Sequence, residues 1–380
     1  METGIERALI QGQHREHYAI PSAENQIWRA RRCNSSISAG ELRTVAPVAR
    51  IRLIQSCPLS PVSSNVSRLF NRSTIQRKYE NMSVLIVGST ALDSIKTAKA
   101  ENPRLLGGSA SHAAVAASFF SPVKIVGVVG DDFPKRYLQL YKRHRIDLEG
   151  LQILPGKTFH WSGEYEINMN NRKTLLTELG VFETFNPTLP KAHQNSPFVL
   201  LANIAPSLQG HVLDQMRRPK FVAADTMDLW LNIALADLIK LIKRLDCFVL
   251  NDGEAHQLTK EDNVFPALKK IHKLGPKYVI IKKGSHGSLL SGPKGIFICP
   301  AYPLHNVVDP TGAGDSFVGG MMGFLATAKG SIDENIRRAM IYGSVVASFC
   351  CEGFGLVRTT KIKRGDIEGR VKELAKLTRF

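Results

Sequence analysis

Residues 309–315 read DPTGAGD and run into the small-residue stretch SFVGGMMGFLA. Gly312, Ala313 and Gly314 carry almost no side chain, so their backbone N–H groups can approach a ligand closely. A helix beginning at Asp315 or Ser316 leaves its first N–H groups unpaired and places the positive end of its dipole there. Together these features make an anion hole. The acid at its mouth has two readings. As a cap, Asp315 would stabilise the helix by about 1 kcal/mol. As a general base, it would take the proton of a hydroxyl attacking a phosphoryl group held by the turn.

Other residues could act around such a site, and each has a plainer reading beside the chemical one. Asn251 and Glu254 in NDGEAHQL (251–258) lie one helical turn apart and can face the same way. Alone they read as a helix start with Asn as its cap. In IIKKGSHGSLL (280–290), Lys283 could reach a phosphate or stay solvated, and Gly284 and Gly287 mark a turn. Asp93 follows a strand pattern in VGSTALD. It could accept two hydroxyl hydrogen bonds, while Gly107 and Gly108 admit backbone close to a sugar. The alternative is a turn-forming Asp. His112 could bind a polar group or be a satisfied core residue. No HxxxH or HExxH spacing suggests a histidine metal site. There is no GxxxxGK[ST] and no GxGxxG, so a P-loop enzyme and the usual dinucleotide fold lose their main support.

With that alternative removed, DPTGAGDSFVGG resembles the C-terminal signature of the ribokinase-like (PfkB) carbohydrate kinase family. The resemblance continues in chain order from residue 82 to about 378. It implies an ATP-dependent kinase acting on a small hydroxylated substrate, a sugar or sugar derivative, with a nucleoside such as adenosine as runner-up. Asp315 would be the base, and the backbone of Gly312, Ala313 and Gly314 would stabilise the transferring γ-phosphoryl group. Asn251 and Glu254 match the family's N-x-x-E pattern, which implies that they order Mg2+ through waters. Lys283, Gly284 and Gly287 would lie near ATP, and residues 342–355 would line the adenine. Asp93, Gly107 and Gly108 would grip substrate hydroxyls. The backbone carbonyls of Asp309 and Thr311 match those holding a monovalent cation, K+, in some members. One departure stands out: His112 occupies a position where sugar-directed members usually carry Asn. A nucleotide-binding regulator without catalysis is the rival reading, and the presence of Asp315, the glycines and Asn251/Glu254 argues against it.

These residues need a frame to bring them together. Val/Ile/Leu-rich runs at 83–89, 123–130, 198–204, 221–225, 247–251 and 277–284 read as strands buried on both faces of a parallel sheet. Helical patterns at 109–119, 134–145, 208–217, 228–244, 254–259, 264–274, 315–328, 333–350 and 366–378 alternate with them. This gives an α/β fold, expected as a ribokinase-like three-layer α/β/α sandwich. Residues 157–182 break the rhythm with alternating polar and apolar positions, and read as two or three antiparallel strands of a small β-sheet lid. Phe159 and Trp161 could stack on a ring there, and Asn168, Asn170, Asn171 and Arg172 could add polar contacts. A lid sheet is also a natural homodimer surface.

Residues 1–80 carry eleven Arg and one Lys against six Glu and no Asp, a net +6, whereas the rest of the chain is Lys-rich. With abundant Ser and no hydrophobic period, residues 1–81 read as a disordered extension or as a start-site artefact upstream of Met82. A targeting peptide is the other reading, which six Glu oppose. Residues 82–380 form the kinase domain. The net charge of +17 fits a protein that handles phosphorylated ligands. No basic, aromatic-interleaved run points to nucleic acid, and no apolar stretch is long enough to span a membrane. The six cysteines include no CxxC pair, which suits free thiols in the cytoplasm.

Overall fold

The strand VLIV sends alternate side chains to opposite faces of its sheet, and each face finds its own core. Val84 and Ile86 join one buried cluster, Leu85 and Val87 the other. The computed structural model describes residues 82–98, 100–167, 169 and 172–379. The extension expected over 1–81, with Cys33 and Cys57, lies outside them, as do Asn168, Asn170 and Asn171.

The strands are β1 (Val84–Val87), β2 (Ala91–Lys96), β3 (Glu101–Gly107), β4 (Val123–Gly130), β5 (Ile146–Leu154), β6 (His160–Tyr165), β7 (Arg172–Glu178), β8 (Phe198–Leu201), β9 (Phe221–Asp225), β10 (Cys247–Asn251), β11 (Tyr278–Lys282), β12 (Ser288–Gly292) and β13 (Gly295–Cys299). The helices are α1 (Ser109–Ser118), α2 (Lys135–Arg143), α3 (Pro206–Gln215), α4 (Asp228–Ile233), α5 (Leu235–Ile242), α6 (Asp252–Thr259), α7 (Val264–His272), α8 (Ala313–Thr327), α9 (Ile332–Cys350) and α10 (Arg364–Leu377).

The main sheet runs β13-β12-β11-β10-β9-β8-β1-β4-β5. It is parallel from β11 to β5, with β12 and β13 added antiparallel at one edge. Helices α1, α2, α8, α9 and α10 pack on the Val84/Ile86 face, and α3 to α7 on the other. The three-layer sandwich is therefore present. Among the described residues no helix is long and apolar enough to cross a membrane.

All six expected strands form. Four further segments were not anticipated: 91–96, 101–107, 146–154 and the 288–299 hairpin. Their sequences mix polar and apolar residues because they lie at edges or in the lid, where burial does not impose a clean pattern. The helix expected over 228–244 breaks at Ala234, whose φ of −139° and ψ of 31° leave the helical region. The lid is larger than expected. Its order is β3-β2-β6-β7, so only half lies within 157–182 and the other half precedes α1. The two halves meet through parallel pairing of β2 with β6, in which Asp93 sits beside Trp161.

Helix α8 is wedged between α1 and α9. A Cβ on Gly319 would lie 2.2 Å from the Ala113 carbonyl oxygen, and one on Gly323 2.6 Å from that of Ala117. On the other side, a Cβ on Gly343 of α9 would meet the Phe317 carbonyl at 2.4 Å. Backbone thus packs on backbone, and this contact sets the height at which α8 begins. Gly319→Ala should therefore destabilise the chain by about 1–3 kcal/mol through overpacking. Urea denaturation checks this, and an unchanged midpoint would show that the helices part freely.

Candidate active site

The turn before α8 depends on Gly312 twice. Its φ of +76° is left-handed, and a Cβ there would overlap the His112 ring, 2.2 Å from Nδ1. The turn therefore rests flat on that imidazole. His112 is buried, and burial lowers its pKa to about 4, so it is neutral at pH 7. Its Nδ1 lies 3.7 Å from Cys350 Sγ, and its Nε2 has no partner among the described residues.

Asp315 stands in the first turn of α8, partly open to the cleft. Removal from water raises its pKa to about 6, helped by the charge of Asp225 and opposed by Lys282 and Arg172. Asp93, at the root of the lid, is raised to about 7 by burial. The Gly108 N–H, 3.3 Å from its Oδ2, opposes that shift, and the charges of Asp309 and Asp315 add to it. Its carboxylate lies so close to Gly107 that a Cβ there would come within 1.8 Å. Asp93, Gly107, Gly108, His112 and the 312–315 turn thus converge on one cleft.

Asn251 and Glu254 form a reciprocal cap on α6. Asn251 Oδ1 accepts from the Glu254 N–H at 2.8 Å, and Glu254 Oε2 from the Asn251 N–H at 2.7 Å. The capping reading is therefore realised. Glu254 still belongs to the cleft's electrostatics: burial raises its pKa to about 7, Lys282 opposes this, and Asp225 adds to it.

Lys283 does not join this cluster. Strand alternation sends its side chain to the opposite face of the sheet from Lys282. There it lines a cavity of about 450 Å3 with Asp252, Ala255, His256, Glu261 and Asp262. The residue that reaches the turn is Lys282. Its Nζ binds both carboxylate oxygens of Asp225, at 2.9 and 2.8 Å, beside Gly314. Lys282 and Asp225 stand outside the residues expected from the sequence, which carries only part of the signal for them. Asp225 ends a strand, as Asp93 follows one, and residues 278, 280 and 282 must share a face. Gly287 is required by packing, because a Cβ would lie 2.2 Å from the Cys299 carbonyl. Gly284 has a φ of +53° with open space around it.

Asp309 ties two loops together through its side chain, accepting from the Thr311 N–H and the Gly355 N–H, each at 2.9 Å. The Thr311 carbonyl, expected to face a monovalent cation, accepts from the Cys350 thiol at 3.3 Å. These bonds tie the loop to α9 and to Gly355. In the segment expected beside adenine, much of α9 is buried against α8, with Ser344 and Ala347 partly open.

On the lid, Tyr165 and Arg172 are paired neighbours on β6 and β7, and the Thr311 hydroxyl donates to the Tyr165 hydroxyl at 3.0 Å. The Trp161 indole lies over Gly163, donates to Thr174 at 3.3 Å and has the Arg172 guanidinium 5.7 Å from its ring centre. Phe159 is stacked on Phe182, 5.3 Å between centres, and so belongs to the lid's own packing.

A second cluster, Asp147, Glu149 and His193, lies beside edge strand β5. His193 Nδ1 is buried without a partner, so a proton there would be orphaned. The favoured tautomer donates Nε2–H to Asp147 at 3.2 Å, which makes this a brace rather than a ligand set.

Residues 83–362 match the pattern of the pfkB family carbohydrate kinases. A cytidine kinase of Thermococcus kodakarensis is 28% identical over 249 residues, covering 63% of this chain and 87% of that protein. A ribokinase of Lactococcus lactis is 27% identical over 281 residues, 70% of this chain and 86% of that protein. Among solved structures, Arabidopsis thaliana ribokinase complexed with ribose and ATP superposes with a TM-score of 0.63 at 21% identity, over 76% of this chain and 98% of that one.

Asp93, Glu254 and Asp315 all hold their protons more tightly in the folded chain than in the unfolded one. Between the ordinary carboxylate range near 4 and about 7 the native state binds the extra protons, so their contribution to stability falls as pH rises. Asp93→Asn should stabilise the fold more at a pH of about 7.5 than at about 5. Urea denaturation at both values checks this; an equal gain at each would remove Asp93 from the effect.

Proposed function

Because this chain belongs to the pfkB family of carbohydrate kinases, we propose that its cleft transfers the γ-phosphoryl group of ATP to a sugar hydroxyl, with Asp315 as general base. The family's members are phosphotransferases acting on sugar or nucleoside hydroxyls, and this protein is a kinase of that kind. The observation that carries the residue assignment is the Asp315 carboxylate at the mouth of the 312–314 turn, with a pKa raised to about 6. A base with that pKa is ionised at neutral pH yet binds a proton more readily than an ordinary carboxylate.

Asp93 and the Gly107–Gly108 backbone orient the acceptor's hydroxyls. One hydroxyl is thereby aimed at the phosphorus while Asp315 accepts its proton. The Gly312 and Gly314 N–H groups, seated on neutral His112, meet the negative charge on the transferring group, the Ala313 N–H being given to the Pro310 carbonyl at 3.1 Å. Glu254 and Asn251 offer oxygen donors of the type Mg2+ prefers. They would hold it through waters, where it neutralises charge on the ATP phosphates. The lid closes over the reacting groups and excludes water. A nucleoside acceptor is the second reading, favoured by Trp161: its backbone pairs with that of Asp93 in the lid sheet, so an aromatic residue neighbours the acid that grips the sugar. The four described cysteines are free thiols, three of them buried, which fits a cytoplasmic protein.

A coupled ADP-release assay over ribose, other sugars and nucleosides tests the function. Activity should rise with pH through about 6 as Asp315 ionises. Asp315→Asn should lower kcat by roughly 10²–10⁴-fold; turnover at the wild-type rate would exclude it as the base. Trp161→Ala should raise KM for nucleosides more than for free sugars.

Strand β7 is exposed along its whole length and carries Leu175 and Leu176. A second copy covering it would form a homodimer through the lid. Leu176→Lys should then shift the mass in light scattering from dimer to monomer, and a wild type that is monomeric at high concentration would refute the arrangement.

A further inference from the structure

Lys282 has no part in the chemistry above, yet it occupies the most demanding position in the cleft. A Cβ on Gly314 would lie 3.1 Å from its Nζ, so the ammonium borders the same backbone that forms the anion hole. The side chain is only 19% exposed and is clasped by both oxygens of Asp225. Burial alone would lower its pKa, but the carboxylates of Asp225 and Glu254 outweigh that and raise it. The lysine is therefore charged.

Stability does not explain this pair. Replacing a buried ion pair with apolar residues is often neutral or stabilising, so the pair itself is weak evidence of a structural need. The charge balance of the cleft is more informative. Asp309 and Asp315 act on Asp93, Asp225 acts on Asp315, Asp225 and the exposed Asp228 act on Glu254, and the cations acting on these acids are Lys282 and Arg172. A polyphosphate brought among five carboxylates needs positive charge at its reacting end. Arg172 rides on the lid, whereas Lys282 ends a strand of the rigid sheet and is in place before the lid closes.

We propose that Lys282 is a further catalytic residue, its ammonium binding the terminal phosphoryl oxygens of ATP beside Gly314 and following them through transfer, with Asp225 holding it ready beforehand. The proposal rests on the kinase reading of the same cleft. In the step, the acceptor's O–H proton passes to Asp315 and the acceptor oxygen forms the new O–P bond. The bond from phosphorus to the bridging oxygen of ADP breaks, its electron pair leaving with ADP. Lys282 stays protonated throughout and contributes only charge and hydrogen bonds. A compact ammonium with freely rotating donors suits oxygens that move during the reaction.

The test uses the full chain and the acceptor that releases most ADP. Lys282→Met should lower kcat by roughly 10²–10³-fold, the loss typical of one such donor. KM for the acceptor and the affinity for Mg·ADP should stay unchanged. Binding of Mg·ADP with aluminium fluoride and acceptor, a mimic of the transferring group, should weaken in parallel. Lys282→Met turning over like the wild type would overturn the proposal. So would recovery of wild-type turnover in the double variant Asp225→Asn/Lys282→Met, because the lysine would then serve only to neutralise Asp225. The double variant removes both charges together and carries the test if the single one does not fold. A wild type that releases no ADP with any acceptor would overturn the kinase reading itself, an outcome seen before any substitution is made.

Discussion

Everything at this site hangs from the start of α8, and that start is fixed by the absence of side chains. Gly319 and Gly323 let the helix settle on the backbone of α1, and Gly343 lets α9 settle on it from the other side. Gly312 then turns the chain over the face of His112 with a left-handed φ. A methyl group at any of these places would lift the helix or tilt it. The anion hole and Asp315 would move with it, because both belong to the first turn. Buried backbone packing is stiff, so the geometry is available before a ligand arrives.

The second constraint is electrostatic. Five carboxylates share a cleft largely withdrawn from water. Burial pushes Asp93, Glu254 and Asp315 upward, and their mutual repulsion adds to it. Four of them also accept backbone N–H bonds: Asp93 from Gly108, Asp225 from Thr226, Glu254 in the cap of α6, and Asp309 from Thr311 and Gly355. Such an arrangement opposes stability and is retained at functional sites. The single lysine on the sheet side keeps it from being more unfavourable. These groups form one set of charges, and the state of each depends on the others.

The lid sheet ties these groups to one another. Because β2 leads directly from the first core strand and pairs with β6, Asp93 is part of the lid sheet and part of the cleft floor at once. Tyr165 reaches Thr311 in the turn before α8, and Arg172 stands beside Tyr165. Movement of the lid sheet would therefore be felt at Asp93 and at the 312–315 turn together.

The chain's own residues fixed a good deal. The apolar runs at 84–87, 123–130 and 247–251 are too continuous for anything but strands covered on both sides, and the helical patterns between them leave only a sandwich. DPTGAGD offered an anion hole with an acid that could be base or cap, and its glycines also serve a tight turn, as Gly312 does against His112. Asn251 and Glu254 were legible as a cap. The lid strands β6 and β7 were legible from the alternation within 157–182, whereas β2, β3, β5 and the 288–299 hairpin were not, because half-exposed segments often carry no strong hydrophobic period. The choice between Lys282 and Lys283 also lay beyond sequence. Alternation says that the two point to opposite faces, but which face receives α8 depends on how the chain crosses the sheet. The union of Asp93 with Asp315, more than two hundred residues apart, had the same origin. Local pattern set the elements and the kinds of group they carry, and only long-range packing decided which of those groups share one desolvated space.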